Sequence, residues 1–469
     1  HGPPLSDYKL VAFDLSAYAG QQVQIRIAHR ADWTAPGAYI DEIRVDDEGS
    51  DPDGDGIVGI LGEYLTAGHV GLDPFLADTD GDGVNDGVEI AAGTDPLLAT
   101  SLPAPVFSTA PLVNSVAGVA PDDLHAFDYN NDGYADVLLT GLVPGSDVYG
   151  MAGDGTGGVG VAVPLAPAPL SGAYRFAVGD LNGDGYDELV VGTDALNGTE
   201  LYVLMNNQNG TFAAPVGYQD GLISTTHTRS VALADMNNDG YTDVVVGYLN
   251  DLYTTVYLGS ANGTLTPHGG YPRVDAGRPI HLAVADFNGD GNLDVVDSGS
   301  IALGDGTGAL GAPSPLNLLG SPGITVGDMA AADLNRDGKM DLVIAAVDTF
   351  AVAGQLMVFI GNGDGTFAAP IVTTTGGTGA TGLAVADFNY DGKLDVAFAD
   401  AAQSTVYIFQ GNGDGTVTAK TPVVSTGARG PVAVDMDHDG RLDLVVYEAT
   451  GVVRIWRNLT VTQAIGGGM

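Results

Sequence analysis

The sequence contains no cysteine, so no disulfide bond contributes to its fold. Any stability outside a cell would therefore have to come from packing and from bound metal. Basic residues are also scarce, because 16 lysines and arginines stand against 59 acidic residues, for a formal net charge of −43. A charge of this sign and size excludes electrostatic binding to nucleic acid or to anionic membranes.

Two further kinds of segment are missing. No apolar run reaches the length of a transmembrane helix, and no signal peptide is visible. Since His1 is not a natural start, we expect a processed or partial chain whose signal or anchor lies outside this sequence. Catalytic motifs are absent as well: there is no cysteine nucleophile, H-E-x-x-H, G-x-S-x-G or Walker loop. We therefore predict that this chain is not an enzyme.

Glycine, in contrast, is abundant, and much of it belongs to an internal repeat. The chain has 70 glycines and 24 prolines, yet 45% of it is hydrophobic, so turns are frequent and a large core can form. A nonapeptide typified by DFNGDGNLD recurs about every 50 residues. Its seven copies begin at Asp128, Asp180, Asp235, Asp286, Asp333, Asp387 and Asp435.

The same strand-like segments surround each copy. An apolar run leads in, such as HLAVA before Asp286, and a β-branched run follows, such as DVVVGY from Asp243. A third run and a glycine turn come next, such as QLMVFIG from Gln355 and GNGDGTF from Gly361. Short strands separated by such turns form antiparallel meanders. Four strands in each of seven repeats predict an all-β, seven-bladed β-propeller, because a closed ring leaves only short strand edges.

The last repeat lacks an obvious fourth strand, whereas an unassigned apolar run, APVFSTAPLVNSV, begins at Ala104. We expect residues 104–118 to pair with the strand around Val452–Asn458 and to close the ring.

The nonapeptide has the chemistry of a calcium site. Oxygen-bearing side chains stand at positions 1, 3, 5 and 9, glycine at position 6 permits a sharp turn, and position 7 offers only its carbonyl. The absence of Cys and His from the pattern argues against zinc, copper and iron, and magnesium prefers a tighter octahedron. An Asx-turn without metal would explain one aspartate and one glycine, but it leaves three neighbouring carboxylates uncompensated.

We therefore predict about seven Ca²⁺ ions in the propeller. Their ligands would be Asp128, Asn130, Asp132, Tyr134 and Asp136; Asp180, Asn182, Asp184, Tyr186 and Glu188; Asp235, Asn237, Asp239, Tyr241 and Asp243; Asp286, Asn288, Asp290, Asn292 and Asp294; Asp333, Asn335, Asp337, Lys339 and Asp341; Asp387, Asn389, Asp391, Lys393 and Asp395; and Asp435, Asp437, Asp439, Arg441 and Asp443. The acids Asp220 and Asp251 lie outside these loops, and we expect them to face solvent.

With these loops and the turn GNGDGTFAAP from Gly361, residues 104–460 resemble FG-GAP/VCBS repeat propellers, the fold of the integrin α-subunit head. The resemblance implies that each metal ion sits in the loop between the first two strands of a blade and stiffens it. It leaves the function open, because such propellers serve adhesion, lectin binding, docking and occasional catalysis.

A further acidic segment precedes the propeller. DTDGDGVNDGVE from Asp78 has the spacing of a twelve-residue calcium loop, with ligands Asp78, Asp80, Asp82, Val84, Asp86 and Glu89. DPDGDG offers Asp51, Asp53 and Asp55, but the expected acid, Glu63, comes one residue late. Residues 49–100 resemble the bacterial type-3 thrombospondin-like repeats, which join domains as calcium-dependent spacers. We expect one to three Ca²⁺ ions in this linker.

The two ends of the chain complete the domain assignment. Residues 1–48 contain three strand-like runs, YKLVAFDL, QQVQIRIAH and AYIDEIRVDD, and resemble the last strands of jelly-roll domains in secreted bacterial proteins. Residues 461–469 form a tail. We expect a partial β-sandwich, a calcium-binding linker and a propeller, in an extracellular or cell-surface protein of bacterial source.

Three functions remain open at this stage. The first is a calcium-binding scaffold or adhesion protein that binds protein or surface ligands and self-assembles into a fibre or layer. The second is a lectin, which would need an aromatic residue at one position in every blade. Tyr134, Tyr186 and Tyr241 recur at loop position 7, but Asn, Lys and Arg replace them in the later repeats. The third is the non-catalytic C-terminal region of a secreted hydrolase. Each predicts protein or glycan partners, without nucleic-acid binding or membrane insertion.

Overall fold

The structure is a computed structural model. It describes residues 79, 85–92, 94, 96–98, 104–115, 121–141, 148–166, 170, 173–193, 199–221, 228–248, 253–273, 281–316, 323–424 and 427–460. The chain divides into two compact units, which are described separately: Ala104–Thr460, and His1–Pro103 together with Val461–Met469.

The larger unit consists of seven four-stranded antiparallel sheets, as the repeat predicts. Strand β1 (Leu112–Ser115) comes first along the chain. Blade 1 contains β2 (Pro121–Phe127), β3 (Asp136–Gly141), β4 (Val148–Met151) and β5 (Val163–Pro164). Blade 2 contains β6 (Ala173–Gly179), β7 (Glu188–Thr193), β8 (Leu201–Leu204) and β9 (Val216–Tyr218). Blade 3 contains β10 (Thr228–Ala234), β11 (Asp243–Tyr248), β12 (Tyr253–Leu258) and β13 (Thr266–Pro272).

The remaining blades repeat this order. Blade 4 contains β14 (Ala283–Ala285), β15 (Asp294–Val296), β16 (Ser300–Ala302) and β17 (Ser314–Pro315). Blade 5 contains β18 (Ile324–Ala332), β19 (Asp341–Asp348), β20 (Ala353–Phe359) and β21 (Ile371–Thr374). Blade 6 contains β22 (Ala380–Ala386), β23 (Asp395–Asp400), β24 (Thr405–Gly411) and β25 (Val417–Val424). Blade 7 contains β26 (Ala428–Val434), β27 (Asp443–Glu448) and β28 (Val452–Trp456).

The N-terminal strand of this unit completes blade 7. Strand β1 pairs antiparallel with β28, from Leu112 opposite Ile455 to Ser115 opposite Val452. A bridge between Phe107 and Asn458 extends the contact. The predicted closure is therefore confirmed, and the two ends of the repeat array are held in one sheet.

The core lies between the blades. The described residues form seven apolar clusters, and each joins two neighbouring blades; the cluster of Leu138 and Phe176, for example, joins blades 1 and 2. Another, around Val137 and Val445, joins blade 1 to blade 7. The second strand of a blade is covered on both faces, and β11, DVVVGY, is fully buried. This double burial explains why the second strands are continuous apolar runs, without the alternation of a half-exposed strand.

The smaller unit is described only in part. Its helix α1 (Asp86–Ala92) has Asp86 and Glu89 in its first turn. In the part of the chain that the structure describes, no helix is long and apolar enough to span a bilayer. The predicted strands within residues 1–48 lie outside the described residues.

Candidate metal centres

Each acidic nonapeptide connects the first strand of its blade to the second. In blade 1 it begins at Asp128, directly after β2, and its ninth residue, Asp136, is the first residue of β3. The other ninth residues likewise open the second strands of their blades: Glu188, Asp243, Asp294, Asp341, Asp395 and Asp443. The loops therefore lie where the family resemblance places them.

The loop backbone turns through two left-handed residues. The glycine at position 6 has a φ of 76° at Gly392 and 89° at Gly133, which explains why this position is always glycine. Position 4 is also left-handed, although it carries side chains such as Arg336, Tyr390 and His438, with φ of 62°, 62° and 59°. Glycine or asparagine stands at position 4 in four of the seven loops, a partial signal for this left-handed residue that sequence reasoning missed.

The side chains at positions 1, 3 and 5 are drawn inward by backbone amides. In blade 1 the N–H groups of Asp132 and Gly133 donate to the two carboxylate oxygens of Asp128, at 3.1 and 2.7 Å. The Asp132 N–H also lies 2.8 Å from Oδ1 of Asn130, and Oδ1 of Asp132 accepts the N–H of Tyr134 at 2.9 Å. Equivalent bonds from position 5 and position 6 to position 1 occur in blade 3. These bonds fix the side chains at positions 1, 3 and 5 against the backbone of their own loop.

The carboxylate at position 9 is fully buried in every loop. In blade 1, Oδ2 of Asp136 accepts the N–H of Tyr129 at 3.0 Å, and Oδ1 accepts the N–H of Gly153 at 2.7 Å. Each of the other six ninth residues likewise accepts the N–H at position 2 and the N–H of a residue at the end of the third strand or up to two positions beyond it. The position-9 carboxylate therefore links the loop to the end of the third strand of the same blade.

Burial dominates the titration of these acids. Desolvation raises the pKa of Asp136 to about 6, and it raises the pKa values of Glu188, Asp395 and Asp443 to about 7, although the backbone N–H groups oppose the shift. A bound cation would favour the ionised form, since it interacts with charge that water no longer solvates.

The residue near the end of the third strand whose N–H binds the position-9 carboxylate is glycine in five blades. A Cβ at Gly153, Gly259, Gly304, Gly361 or Gly411 would overlap the carbonyl oxygen of loop position 8. In blades 2 and 7 this residue is Asn206 or Asn458. The Asn458 amide group, Nδ2, donates to the position-8 carbonyl oxygen of Leu442 at 3.1 Å, and Asn206 does the same to Asp187 at 3.2 Å.

Position 2 is a second feature that sequence reasoning missed. Its side chains are all large, apolar and at most 5% exposed: Tyr129, Leu181, Met236, Phe287, Leu334, Phe388 and Met436. Each lies in the cluster shared with the next blade along the chain, and Met436 of blade 7 lies in the cluster shared with blade 1. A large apolar residue recurring between two acids is the signal that identifies it.

The arrangement in blade 7 fits one divalent cation. Carboxylate oxygens of Asp435, Asp437 and Asp443 lie within 4.8 Å of one another. Ligands of one Ca²⁺, each about 2.4 Å from the ion, are separated by about 4.8 Å at most. Among the described residues, this is the set of three carboxylates that meets that span; the other loops have asparagine in place of Asp437.

Two arginines reach into the same loop. The Arg457 Nη1 lies 3.6 Å from Oδ2 of Asp437, and Arg441 contacts Asp439.

In the linker, Thr79 and the last five residues of the predicted twelve-residue loop are described. Asp86 is 2% exposed and Glu89 is fully buried. The N–H and hydroxyl of Thr79 donate to the two carboxylate oxygens of Asp86, at 2.8 and 2.5 Å. The other predicted ligands, Asp78, Asp80, Asp82, Val84, Asp51, Asp53, Asp55 and Glu63, lie outside the described residues.

One reference residue was wrongly assigned to solvent. Asp220 is half-buried: Oδ2 accepts the Thr255 hydroxyl at 2.7 Å, and its N–H donates to Glu200 at 3.0 Å. These bonds join Asp220 to Thr255 of blade 3 and to Glu200, and no local sequence signal marks such tertiary contacts. Asp251 lies outside the described residues.

Comparison with known proteins agrees with this geometry. The FG-GAP-like repeat matches residues 128–191, 180–246, 235–296, 345–398 and 387–446, more than half of the chain, and the bacterial TSP3 repeat matches residues 78–99.

Animal proteins and solved structures are among those that resemble the chain. Integrin alpha-6 of Gallus gallus is 27% identical over 146 residues, which are 28% of this chain and 13% of that protein. Cartilage acidic protein 1 of Mus musculus is 28% identical over 263 residues, 52% of this chain and 36% of that protein. The chain thus spans only a minor part of these relatives. The structure of BBS1N in complex with ARL6DN covers 76% of this chain and 98% of its own, with a TM-score of 0.51 and 11% identity, a likeness of fold alone. The chain belongs to the family of FG-GAP-like repeat proteins and folds as its seven-bladed propeller.

Proposed function

We propose that this protein is a secreted or cell-surface calcium-binding scaffold or adhesion protein that binds protein or surface ligands and does not turn over a substrate. The observation that carries the proposal is the recurrence of one loop geometry in all seven blades. The similarity of the chain to integrin alpha-6 supports an adhesive role and an extracellular location. The bacterial TSP3 match at residues 78–99 supports a calcium-dependent spacer before the propeller.

Within each loop, we propose that the side chains at positions 1, 3, 5 and 9 and the carbonyl at position 7 hold Ca²⁺. In blade 3, for example, each carboxylate oxygen of Asp243 accepts one backbone N–H, from Met236 or Gly259, and retains a lone pair for a cation. The ion supplies positive charge to acids that otherwise repel one another. About seven such ions would offset about 14 of the formal −43 charges, with the linker holding one to three more.

The proposed metal sites also account for the acidity. If carboxylates converge and stay ionised, their repulsion opposes folding until a cation binds the folded state. Binding to the folded state alone stabilises it by about 2.7 kcal/mol per site when free calcium is 100 times the dissociation constant.

The test begins with metal content and melting temperature. We expect the purified chain to retain about seven or more Ca²⁺ ions after dialysis into low-calcium buffer, and to melt at a markedly lower temperature and become protease-sensitive in EDTA. Restoring Ca²⁺, and not Mg²⁺, should restore both properties. An identical melting curve after verified removal of calcium would contradict the proposal.

Ligand class and assembly need separate measurements. Light scattering and electron microscopy on calcium removal and return would show whether the protein self-assembles into a fibre or layer. A strictly monomeric protein that binds one glycan on an array would favour the lectin function instead. That outcome has some structural basis, because Tyr134 at loop position 7 is 39% exposed. Hydrolysis by residues 104–460 alone would overturn both functions.

A further inference from the structure

We propose that calcium bound in the loop of one blade locks that blade to the next blade along the chain, through the residue at loop position 2. The inference rests on the proposed calcium sites and adds a direction to their effect. The position-2 residues, from Tyr129 in blade 1 to Met436 in blade 7, contact both the proposed metal ligands and the neighbouring blade.

The first connection joins the position-2 residue to a proposed ligand. In blade 4 the N–H of Phe287 donates to Oδ2 of Asp294 at 2.9 Å. The same bond joins Met236 to Asp243 at 2.8 Å and Phe388 to Asp395 at 3.0 Å. Since position 9 is fully buried in each loop, this carboxylate has no water to replace the N–H. Its placement therefore determines where the position-2 peptide group lies.

The second connection joins the carbonyl of the same residue to the next blade. The carbonyl oxygen of Phe287 accepts the N–H of Gly365 of blade 5 at 3.0 Å, and the carbonyl oxygen of Met236 accepts the N–H of Gly308 of blade 4 at 3.1 Å. Across the ring closure, the N–H of Gly157 of blade 1 donates to the carbonyl oxygen of Met436 at 3.2 Å. Where blades 2 and 7 carry asparagine, Nδ2 of Asn206 or Asn458 donates to the equivalent carbonyl of the preceding blade, at 3.2 and 2.8 Å.

The third connection is the side chain. The rings of Phe287 and Phe367 of blade 5 lie 5.5 Å apart in an edge-to-face arrangement. Tyr129 similarly faces Phe212 of blade 2, at 6.5 Å. Phe287 is 1% exposed and belongs to the cluster of Ile344 and Met357 in blade 5.

In each of these contacts the position-2 residue of one blade binds the blade that follows it along the chain. One rigid residue carries the N–H that binds the proposed ligand, the carbonyl that accepts from the next blade, and the side chain buried there. Contacts from a loop to the preceding blade are made by other residues; in blade 4 the contact is a side-chain bond of 3.1 Å between Asn238 and Asn292. Loss of metal from one loop should therefore loosen the following interface and spare the preceding one. Because the last loop reaches blade 1, the chain of contacts closes on itself.

The experiment compares Asp290→Ala with Asp305→Ala in the full chain. Both residues are exposed aspartates of blade 4, but Asp290 belongs to the acidic loop, whereas Asp305 lies in the turn after β16 and accepts from Thr307. Bound calcium is counted by elemental analysis, and amide hydrogen exchange is followed by mass spectrometry. The informative segments are residues 361–367 of blade 5, whose Gly365 donates to Phe287, and residues 308–310 of blade 4, whose Gly308 donates to Met236 of blade 3.

We expect Asp290→Ala to lose one calcium ion and to speed exchange in residues 361–367 by up to about 100-fold at free calcium of 100 times the dissociation constant. Exchange in residues 308–310 should stay at the wild-type rate. The Asp305→Ala variant should keep both its calcium and the protection of residues 361–367.

Failure of the proposed function and failure of the coupling between blades would give different results. A wild-type chain that binds no calcium overturns the proposed function and this inference with it. If Asp290→Ala loses one ion while residues 361–367 keep their protection, calcium binding stands and the coupling between blades is refuted. Equal acceleration in residues 308–310 and 361–367 refutes the direction of the coupling.

Discussion

Replacing the buried acid of blade 3 separates the role of position 9 in folding from its role in metal binding. Asp243 is fully buried, and its two carboxylate oxygens accept the N–H groups of Met236 and Gly259 at 2.8 and 2.7 Å. Asp239, at position 5 of the same loop, is exposed and accepts the N–H of Tyr241 at 2.9 Å. Both are proposed calcium ligands, but only Asp243 holds buried backbone groups that water does not reach.

The Asp243→Ala change leaves two buried N–H donors without an acceptor. An unsatisfied buried donor costs about 1–3 kcal/mol, so the free energy of unfolding should fall by about 2–6 kcal/mol even in EDTA. In EDTA the Asp239→Ala change should have a much smaller effect, because water replaces the carboxylate. In calcium both variants should lose the stabilisation that one bound ion provides, about 2.7 kcal/mol at 100 times the dissociation constant.

The assay is urea denaturation of wild type and both variants, with calcium and with EDTA. It compares midpoints at equal slope, so that a change in midpoint reports a change in stability. If in EDTA the Asp243→Ala variant proved as stable as the Asp239→Ala variant, the bonds to Met236 and Gly259 would not stabilise the blade, and the reasoning would fail.

Three further predictions concern pH, closure and a buried acid outside the loops. In EDTA the melting temperature should fall as pH rises from 5 to 8. The folded-state pKa values of Asp136, Asp395 and Asp443, about 6 to 7, exceed the unfolded value of about 4. The stability that these protonated acids contribute is therefore complete below the unfolded pKa and is lost as pH rises through the folded pKa. In calcium this trend should disappear or reverse, because protons compete with the metal. Deleting residues 104–115 should expose the edge of β28 and cause aggregation measurable by light scattering; a monomeric, equally stable product would contradict the closure argument. The Glu200→Ala change should cost about 2–6 kcal/mol in urea denaturation, since the buried hydroxyls of Tyr248 and Tyr257 both donate to this carboxylate; a loss below 1 kcal/mol would show that they find other acceptors.

Much of the fold was predictable because the repeat carries local signals. The glycine at position 6 marks the left-handed turn, and continuous apolar runs such as DVVVGY mark strands that are covered on both faces. The unassigned run at residues 104–118 and the missing last strand together predicted the closure, which the pairing of Leu112 with Ile455 confirms. These features follow from backbone conformation and burial, which each segment encodes in its own composition.

The tertiary structure alone decided how the loops connect. Sequence reasoning treated Asp136 only as a metal ligand, whereas the structure also bonds it to the N–H of Gly153, 17 positions away. Asn458 replaces a glycine and donates to Phe388 of the preceding blade, 70 positions away. Asp220 is half-buried and accepts the Thr255 hydroxyl. Such bonds use backbone groups or distant partners. Because every residue except proline carries the same backbone N–H, the amino-acid sequence does not indicate which N–H makes such a bond. The sequence by itself determined the strands, the loops and the ring; packing of one blade on the next determined which loop residue connects them.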